Sequence, residues 1–306
     1  MFELILVVLG LVLFETITSI DNAIINAEVL SKMSQRARKW FLLWGLLIAV
    51  FLMRGFLPGA IIWVANPDFT IEEVFLATLS EDPAVIEAIE STGPILLIGG
   101  GVFLIFLFFH WLFMEDKHYG LPGEKFFVKQ GVWFFAVVSI LLTVITWFAI
   151  NKDAMMAFGA VVGSTAFFIV HGFKQNAELK EKELISGAKG LSDVSKLLYL
   201  EVIDATFSID GVIGAFAFTF AVPLILIGNG IGAFVVRELT IRNIQNVKKY
   251  IYLKNGAMYS ILFLGAIMIL DSFGFGIPAW LSPVITFAVV GFFFWKSKVH
   301  LDNNKK

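Results

Sequence analysis

The sequence has 306 residues, of which 58% are hydrophobic and only 16% are charged, with a formal net charge of −2. About 25% of the residues of a typical soluble domain are charged. This composition excludes a soluble enzyme and gives no basis for nucleic-acid binding, and the lack of cysteine excludes disulfides and thiolate metal sites. We therefore expect a single all-α, polytopic membrane domain over residues 1–306.

Apolar runs between clusters of charge predict about nine membrane-spanning helices. In chain order they cover residues 3–30, 40–65, 94–114, 129–150, 154–173, 195–220, 221–237, 256–272 and 279–297. The segments 66–93 and 174–193 are too charged to face lipid, and we interpret them as solvated connections.

The loop charges predict an orientation. The first loop holds Lys32, Arg36, Arg38 and Lys39 without an acid, whereas segment 66–93 holds seven acids and no Lys or Arg. By the positive-inside rule the first loop is cytoplasmic and the N-terminus lies outside. The basic residues of the later loops fall on the same inner side, so we expect a cytoplasmic C-terminus.

The chain contains an internal repeat. Residues 14–21 align with residues 203–210 at an offset of 189, and both copies read acid-x-x-x-Ser-Ile-Asp. Each copy precedes a glycine-containing span that ends in an arginine, Arg54 or Arg237. Because the copies cross the membrane in opposite directions, we predict inverted repeats. The first would cover 1–114 with motif helix 1–30, and the second 194–306 with motif helix 195–220, separated by intervening helices and a charged cytoplasmic segment in 115–193.

Polar residues share one face of each motif helix. Glu15, Ser19, Asn22 and Asn26 lie within about 40° of one another on an ideal helix. Asp204 and Ser208 occupy the matching stripe, with Glu201 one turn earlier. Asp21 and Asp210 lie about 120° away. Either the helices unwind near Ser-Ile-Asp, or these two aspartates face other helices.

The acids of the two motif helices indicate a cation site. Placing one carboxylate at the middle of the bilayer costs at least about 2.5–3.5 kcal/mol. The motif helices contain five acids, Glu15, Asp21, Glu201, Asp204 and Asp210. We therefore expect them to line water, share protons or bind a cation. Two arginines can neutralise two of them. All-oxygen ligands suit hard divalent ions such as Mn²⁺, Mg²⁺ or Ca²⁺. The candidate metal-binding residues are Glu15, Ser19, Asp21, Asn22, Glu201, Asp204, Ser208 and Asp210, with Arg54 and Arg237 as candidate gating or ion-pair residues.

Other features indicate structure rather than chemistry. No hydrolase, metalloprotease or nucleotide-binding motif is present, so we do not expect an enzyme. The glycines of 99–101 and 228–232 are interpreted as positions of close helix packing. The four histidines, which lie outside the motifs near span ends or in the tail, are interpreted as interfacial or loop residues: His110, His118, His171 and His300.

The paired motifs resemble those of the TerC integral membrane family. The resemblance rests on Glu15-x-x-x-Ser19-x-Asp21-Asn22-Ala23 and on the segment from Glu201 to Asp210. It extends to 45–54 and to Tyr252-Leu253-Lys254-Asn255-Gly256. It implies a role in tellurium resistance or manganese export at a bacterial inner membrane. Gly211 stands where the first motif has Asn22, which leaves either an open coordination position or an asymmetry between the halves.

We expect a secondary transporter that exports a hard divalent cation, with Mn²⁺ the first candidate, by alternating access. The metal would be the substrate, not a tightly bound cofactor. Coupled carboxylates favour proton antiport, so the expected partners are the cation, protons and the lipid bilayer. The alternative is a non-transporting membrane metal sensor or scaffold for a metal or tellurium stress response. An amino-acid exporter is disfavoured by five acids against two arginines, and a redox enzyme by the lack of cofactor ligands.

Overall fold

The computed structural model describes residues 2–31, 33–45, 48, 54–66, 68–76, 83–185, 192–242 and 244–303, and within these it leaves some helical side chains undescribed. The described residues form helices joined by turns, without a strand. In chain order the helices are α1 (Phe2–Thr18), α2 (Ile20–Ser31), α3 (Gln35–Trp40) with a π-helical turn at Phe41–Gly45, α4 (Leu57–Ala65), α5 (Ile71–Leu76), α6 (Pro83–Met114), α7 (Glu124–Val128), α8 (Trp133–Lys152), α9 (Ala154–Ile185), α10 (Asp193–Ala215), α11 (Val222–Arg242), α12 (Ile244–Val247), α13 (Leu253–Ser272) and α14 (Leu281–Asn303).

Six helical segments in the described part of the chain are long and apolar enough to cross a membrane. They are Ser91–Met114, Trp133–Lys152, Ala154–Asn176, Val222–Leu239, Leu253–Ser272 and Leu281–Asn303. Large apolar side chains on α8 are exposed, with Trp147 at 68% and Phe148 at 62%, as on a lipid-facing helix and not on a soluble one. The protein is therefore a helical membrane protein, as its composition predicts.

The other three predicted spans differ from these six. Residues 3–30 form two helices, α1 and α2, that meet at Ser19. Segment 40–65 lies partly outside the described residues, and its described part ends in the short helix α4. Residues 195–220 fall in α10, which is long enough but carries several acids, and which ends at Ala215.

The two motif helices differ in continuity. Between α1 and α2 the Ser19 N–H donates to the Glu15 carbonyl at 3.1 Å, and the Ala23 N–H donates to the Ser19 carbonyl at 3.0 Å. Helical bonding thus persists across the junction. The helix α10 runs unbroken through the second Ser-Ile-Asp. The structure therefore has no unwound segment at the second motif, and Asp210 faces another helix instead.

Glycines bring the central helices into backbone contact, as predicted. A Cβ on Gly99 of α6 would lie 2.8 Å from the Gly159 carbonyl oxygen of α9. A Cβ on Gly101 would lie 2.9 Å from the Gly265 carbonyl oxygen of α13. Only residues without a Cβ allow such close approach. The helix α6 consequently packs against both α9 and α13.

The second glycine run places α11 against the first motif helix. A Cβ on Gly228 would lie 2.5 Å from the Leu11 Cβ, and one on Gly232 would lie 2.7 Å from the Glu15 Cβ. Because α1 also packs against α13 and α14, it is enclosed on several sides. The acidic residue at its C-terminal end is thereby held inside the helix bundle.

Both charged connections are more helical than predicted. The helix α9 continues to Ile185, well into the segment 174–193 that we interpreted as a solvated connection. Lys, Glu and Gln have high helix propensity, which favours this continuation. The acidic segment 66–93 contains α5 and the start of α6. The Thr70 N–H and hydroxyl each donate to Glu73 at 2.7 Å, and these hydrogen bonds hold the pKa of Glu73 below its ordinary value.

Candidate functional site

The first motif places Glu15 in a buried ion pair. Its side chain is 1% exposed, enclosed by Gly232 on one side. Arg54, only 4% exposed, donates to Glu15 Oε1. The Ser19 hydroxyl donates to the same oxygen at 2.7 Å, one helical turn further along. A guanidinium and a hydroxyl together neutralise and bind this carboxylate, which low dielectric surroundings require.

The second motif adds Asp204 to the same polar cluster. Asp204 lies within electrostatic range of both Glu15 and Arg54. The side chain of Asn26, on α2, forms a hydrogen bond with Asp204. Two acids from two motif helices, Glu15 and Asp204, therefore lie near one arginine. Asn26 lies on the polar stripe that the sequence indicates, and its contact with the second motif was not predicted.

Glu201 lies on the side of α10 that faces the π-helical turn. Its Oε1 atom is buried, and it has no hydrogen-bond partner in the described part of the structure. The same oxygen occupies the position where a Cβ would sit on Gly45. It lies within electrostatic range of Asp204. The acids thus continue along α10 from Asp204 to Glu201, and Glu201 has a buried oxygen that no described donor binds.

The remaining candidate residues of the two repeats have different surroundings. The Ser208 hydroxyl donates to the Asp204 carbonyl at 2.7 Å, so its proton is used by the backbone of its own helix. Asp21 and Asn22 are in α2, and their side chains lie outside what the structure describes. The Nε atom of Arg237 is buried without a hydrogen-bond partner among the described residues. Arg54, and not Arg237, is the arginine that pairs with Glu15.

Asp210 lies apart from the cluster formed by Glu15, Arg54 and Asp204. It forms an ion pair with Lys174 of α9. The two side chains are 14% and 11% exposed. The other carboxylate oxygen, Oδ1, is buried and makes no hydrogen bond to a described residue. In this conformation, therefore, the structure does not gather all the predicted ligands at one point.

A polar cavity of about 340 Å³ contains this second ion pair. Its polar walls come from α6, α9, α10 and α13 and from the residue after α6. The side chains involved are His110, Glu115, His171, Lys174, Gln175, Asp210 and Lys254. Lys254 Nζ lies 2.8 Å from Glu115 Oε2, so the cavity has two ion pairs. We refer to this space as the Asp210 cavity.

The two cavity histidines are in contact. The ring centroids of His110 and His171 are 3.9 Å apart, and His110 Nδ1 lies 3.7 Å from Glu115 Oε1. Burial opposes ionisation of Glu115, but the neighbouring His110 ring and the charge of Lys254 hold the pKa of this carboxyl well below its ordinary value. The carboxylate therefore stays ionised at neutral pH.

Our sequence interpretation of these histidines was incomplete. His110 is only 9% exposed, although we assigned it to an interface or loop. The spacing of Leu107, His110 and Met114 places all three on one face of α6, and that of His171, Lys174 and Gln175 does the same on α9. Polar residues on one face of two neighbouring apolar helices were the available signal. It identifies a cavity only if the helices are known to pack together.

The segment Tyr252 to Gly256, on which part of the family resemblance rests, joins three elements. The Tyr252 N–H donates to Ser297 Oγ of α14 at 3.0 Å. Lys254 pairs with Glu115, and the Asn255 amide donates to the His118 carbonyl at 3.0 Å. Gly256 allows the start of α13 to lie against Phe293. In this structure the segment anchors α13 and borders the Asp210 cavity.

No group of three or more His, Cys, Asp or Glu side chains is placed to hold a metal ion among the described residues. Two of the described motif acids are instead paired with internal cations, Glu15 with Arg54 and Asp210 with Lys174. Cation binding at these acids would require the arginine or the lysine to move. The side chains of Asp21 and Asn22 lie outside the described part of the structure.

Comparison with known proteins gives a family and no characterised relative. No curated protein and no solved structure matches the chain. Residues 20–305 match the family described as "Protein of unknown function (DUF475)". The match covers the second part of the first motif, all of the second motif and the Asp210 cavity. The chain belongs to the DUF475 family.

Proposed function

We propose that the protein is a secondary transporter that exports a hard divalent cation, with Mn²⁺ the first candidate, across a bacterial inner membrane. The observation that carries this proposal is the convergence of Glu15 and Asp204, from two different motif helices, on a single buried arginine. One guanidinium leaves the pair of acids with an excess of negative charge. Such an excess inside a membrane domain is costly unless protons or a cation neutralise it.

The chemistry of the donors supports a hard cation. Glu15 and Asp204 supply carboxylate oxygens. Beside them, Ser19 supplies a hydroxyl oxygen and Asn26 an amide oxygen. Oxygen donors are the ligands of Mn²⁺, Mg²⁺ and Ca²⁺. The sequence supplies no cysteine for a soft metal. Mn²⁺ comes first because the motifs resemble those of the TerC family.

We further propose that the two motif helices belong to inverted repeats, with nine spans, an external N-terminus and a cytoplasmic C-terminus. Reciprocal contacts support this arrangement. Glycines of α11 contact Leu11 and Glu15 of the first motif helix, while Gly45, before Arg54, contacts Glu201 of the second. Each motif helix thus lies against the glycine-containing segment of the other repeat, as expected for repeats related by a two-fold axis in the membrane plane.

Protons are the proposed coupling ion. Glu15, Asp204 and Glu201 are close enough to influence one another electrostatically in pairs. Neighbouring carboxylates share protons and titrate as a set. A divalent ion that binds there would displace protons, and the reverse exchange would drive export against a gradient.

Flux measurements in proteoliposomes test this function. The purified protein is reconstituted, and Mn²⁺, Ca²⁺ and Mg²⁺ fluxes are measured with an imposed pH gradient. We expect Mn²⁺ movement that Asp204→Asn abolishes and that the exposed-site control Glu72→Gln leaves intact. Divalent-ion binding without flux of any ion would contradict transport and favour a metal sensor or scaffold. A fully active Asp204→Asn protein would contradict the site.

A further inference from the structure

The Asp210 cavity has polar walls from α6, α9, α10 and α13 and apolar walls on its other sides. Its remaining walls include Ile17, Leu107, Met258 and Ile261. A space of about 340 Å³ accommodates several water molecules. Asp210 and Lys174 are therefore positioned to exchange partners with a small hydrated ion without disrupting the apolar packing around them.

The Asp210 carboxylate is only partly satisfied. Oδ2 is engaged by Lys174, whereas Oδ1 is buried and makes no hydrogen bond to a described residue. A buried carboxylate oxygen without a donor is costly. The Asp210 side chain also lines a cavity large enough for a ligand, so a cation that enters the cavity meets a carboxylate with one oxygen that no described donor uses.

The cavity lies next to the Glu15 cluster. Thr18 lines the cavity, and a Cβ placed on Gly211 would lie 3.8 Å from Thr18 Oγ1 and 3.0 Å from Glu15 Oε2. Gly211 directly follows Asp210 in the chain. Thr18 and the side-chain-free position 211 thus lie between the cavity and the Glu15 carboxylate. The first motif has Asn22 at the corresponding position. The second motif has Gly211, which carries no side chain that could fill the space between the cavity and Glu15.

We propose that Lys174 is an internal substitute for the transported cation. Its ammonium pairs with Asp210 when no divalent cation is bound. It leaves Asp210 when a divalent cation, the cargo, enters the cavity. Release of the cargo lets the ammonium return, so the empty protein crosses back with Asp210 neutralised. This inference rests on the proposed transport function. It assigns to Lys174 a positioning role that the motifs do not contain.

Lysine is suited to this exchange. Its ammonium is a compact charge on a flexible four-carbon chain, so it can withdraw without a backbone movement. Gln175 and His171 flank it on α9 and also line the cavity. The second pair, Glu115 and Lys254, offers a matched comparison, because its acid lies outside the motif helices.

Two transport modes separate this role from a structural one. Exchange is measured as radioactive Mn²⁺ movement with equal Mn²⁺ on both sides, and net efflux as movement into Mn²⁺-free buffer. Only net efflux requires the empty protein to return. In Lys174→Gln we expect exchange to persist while net efflux falls by at least about tenfold, the effect of a barrier higher by about 1.4 kcal/mol. Lys174→Arg keeps the positive charge and should retain both modes.

A binding measurement makes the result independent of transport. Without a competing ammonium, Lys174→Gln in detergent should bind Mn²⁺ about tenfold more tightly than wild type, and Asp210→Asn should weaken binding. Lys254→Gln should not tighten binding. Unchanged or weaker Mn²⁺ binding by a folded Lys174→Gln protein would overturn the proposal, as would an equal loss of exchange and net efflux.

Failure of transport itself would look different. If the wild-type protein catalyses neither mode, the proposed function fails. Tighter Mn²⁺ binding by Lys174→Gln would then still support competition at Asp210, in a protein that binds the ion without moving it. Unchanged binding would overturn both the competition and its consequence for transport.

Discussion

Asn255 donates its side-chain amide to both carboxylate oxygens of Glu124, at 3.3 Å to Oε1 and 3.1 Å to Oε2. Glu124 is only 2% exposed, and the backbone N–H groups of Gly120 and Leu121 donate to it at 2.7 and 3.0 Å. Tyr259 adds a hydroxyl at 3.0 Å. This carboxylate fixes the loop after α6 to α13, close to the Asp210 cavity.

We expect Glu124→Gln to destabilise the protein by about 2–3 kcal/mol. The NH₂ group of the glutamine would face N–H and O–H groups that now donate to the Glu124 carboxylate, so these hydrogen bonds would be lost. Unfolding by SDS in mixed micelles, followed by tryptophan fluorescence, measures the change. Glu72→Gln, at an exposed acid, is the control and should have little effect. Equal stability of the two variants would show that the loop is held by other contacts.

The close approach of α6 and α9 predicts that two glycines of α9 differ in how well they tolerate substitution by alanine. A Cβ on Gly163 would collide with the Gly99 backbone, whereas a Cβ on Gly172 would meet nothing within 4 Å. Gly163→Ala should therefore destabilise by about 1–3 kcal/mol through overpacking. Gly172→Ala should stabilise slightly through helix propensity. The same unfolding assay checks both, and equal effects would contradict the packing.

The Glu15–Arg54 pair predicts non-additive stability effects. Arg54→Gln leaves the buried Glu15 carboxylate without its cation, at a cost of about 3–5 kcal/mol, and Glu15→Gln removes the acid that Arg54 contacts directly. The double variant removes both charges and should be less destabilised than the sum of the two singles. The yield of monodisperse protein and the SDS unfolding curves provide the double-mutant cycle. Additive effects would mean that the two side chains do not interact in the membrane.

The surroundings of Lys117, which lies outside the membrane-spanning helices, predict that the stability of the protein depends on pH. Its ammonium lies 4.1 Å from the centre of the Trp111 ring and 2.7 Å from the Leu112 carbonyl oxygen. Burial lowers the pKa of Lys117 to about 8, against about 10.4 for an ordinary lysine. Between these values the folded protein binds fewer protons than the unfolded chain, so this residue's contribution to stability increases as pH rises from about 8 to 10.4.

The corresponding measurement is acylation of Lys117 as a function of pH, quantified by mass spectrometry. We expect half of the maximal rate near pH 8, because only the neutral amine reacts. The stability of wild type relative to Lys117→Met should also increase with pH across the same window. A labelling midpoint above pH 10 would show that the carbonyl and ring contacts outweigh burial.

Much of the fold follows from local patterns. The predicted spans 94–114 and 256–272 agree within a few residues with Ser91–Met114 and Leu253–Ser272, because an apolar run of this length has few alternatives in a membrane. Hydropathy does not determine the junction at Ser19, where helical hydrogen bonds continue from α1 into α2, or the end of α10 at Ala215.

The site was predictable only in part. The repeat puts Glu15 and Asp204 at equivalent positions of two helices, and in the structure the two acids lie within electrostatic range of each other. It does not predict that Asp210 contacts Lys174, because that contact depends on where α9 passes α10. We assigned Lys174 to a solvated segment on charge alone. A lysine at the end of an apolar helix can instead turn back toward a buried acid.

The glycine contacts between α6 and α9 have a mechanical consequence. Two backbones separated by less than a methyl group cannot slide past each other without bringing a larger residue into the gap. These two helices should therefore move as one rigid body. The alternating access that we propose would then consist of movement along the surfaces of α1, α10 and α11, with α6 and α9 as the stationary frame.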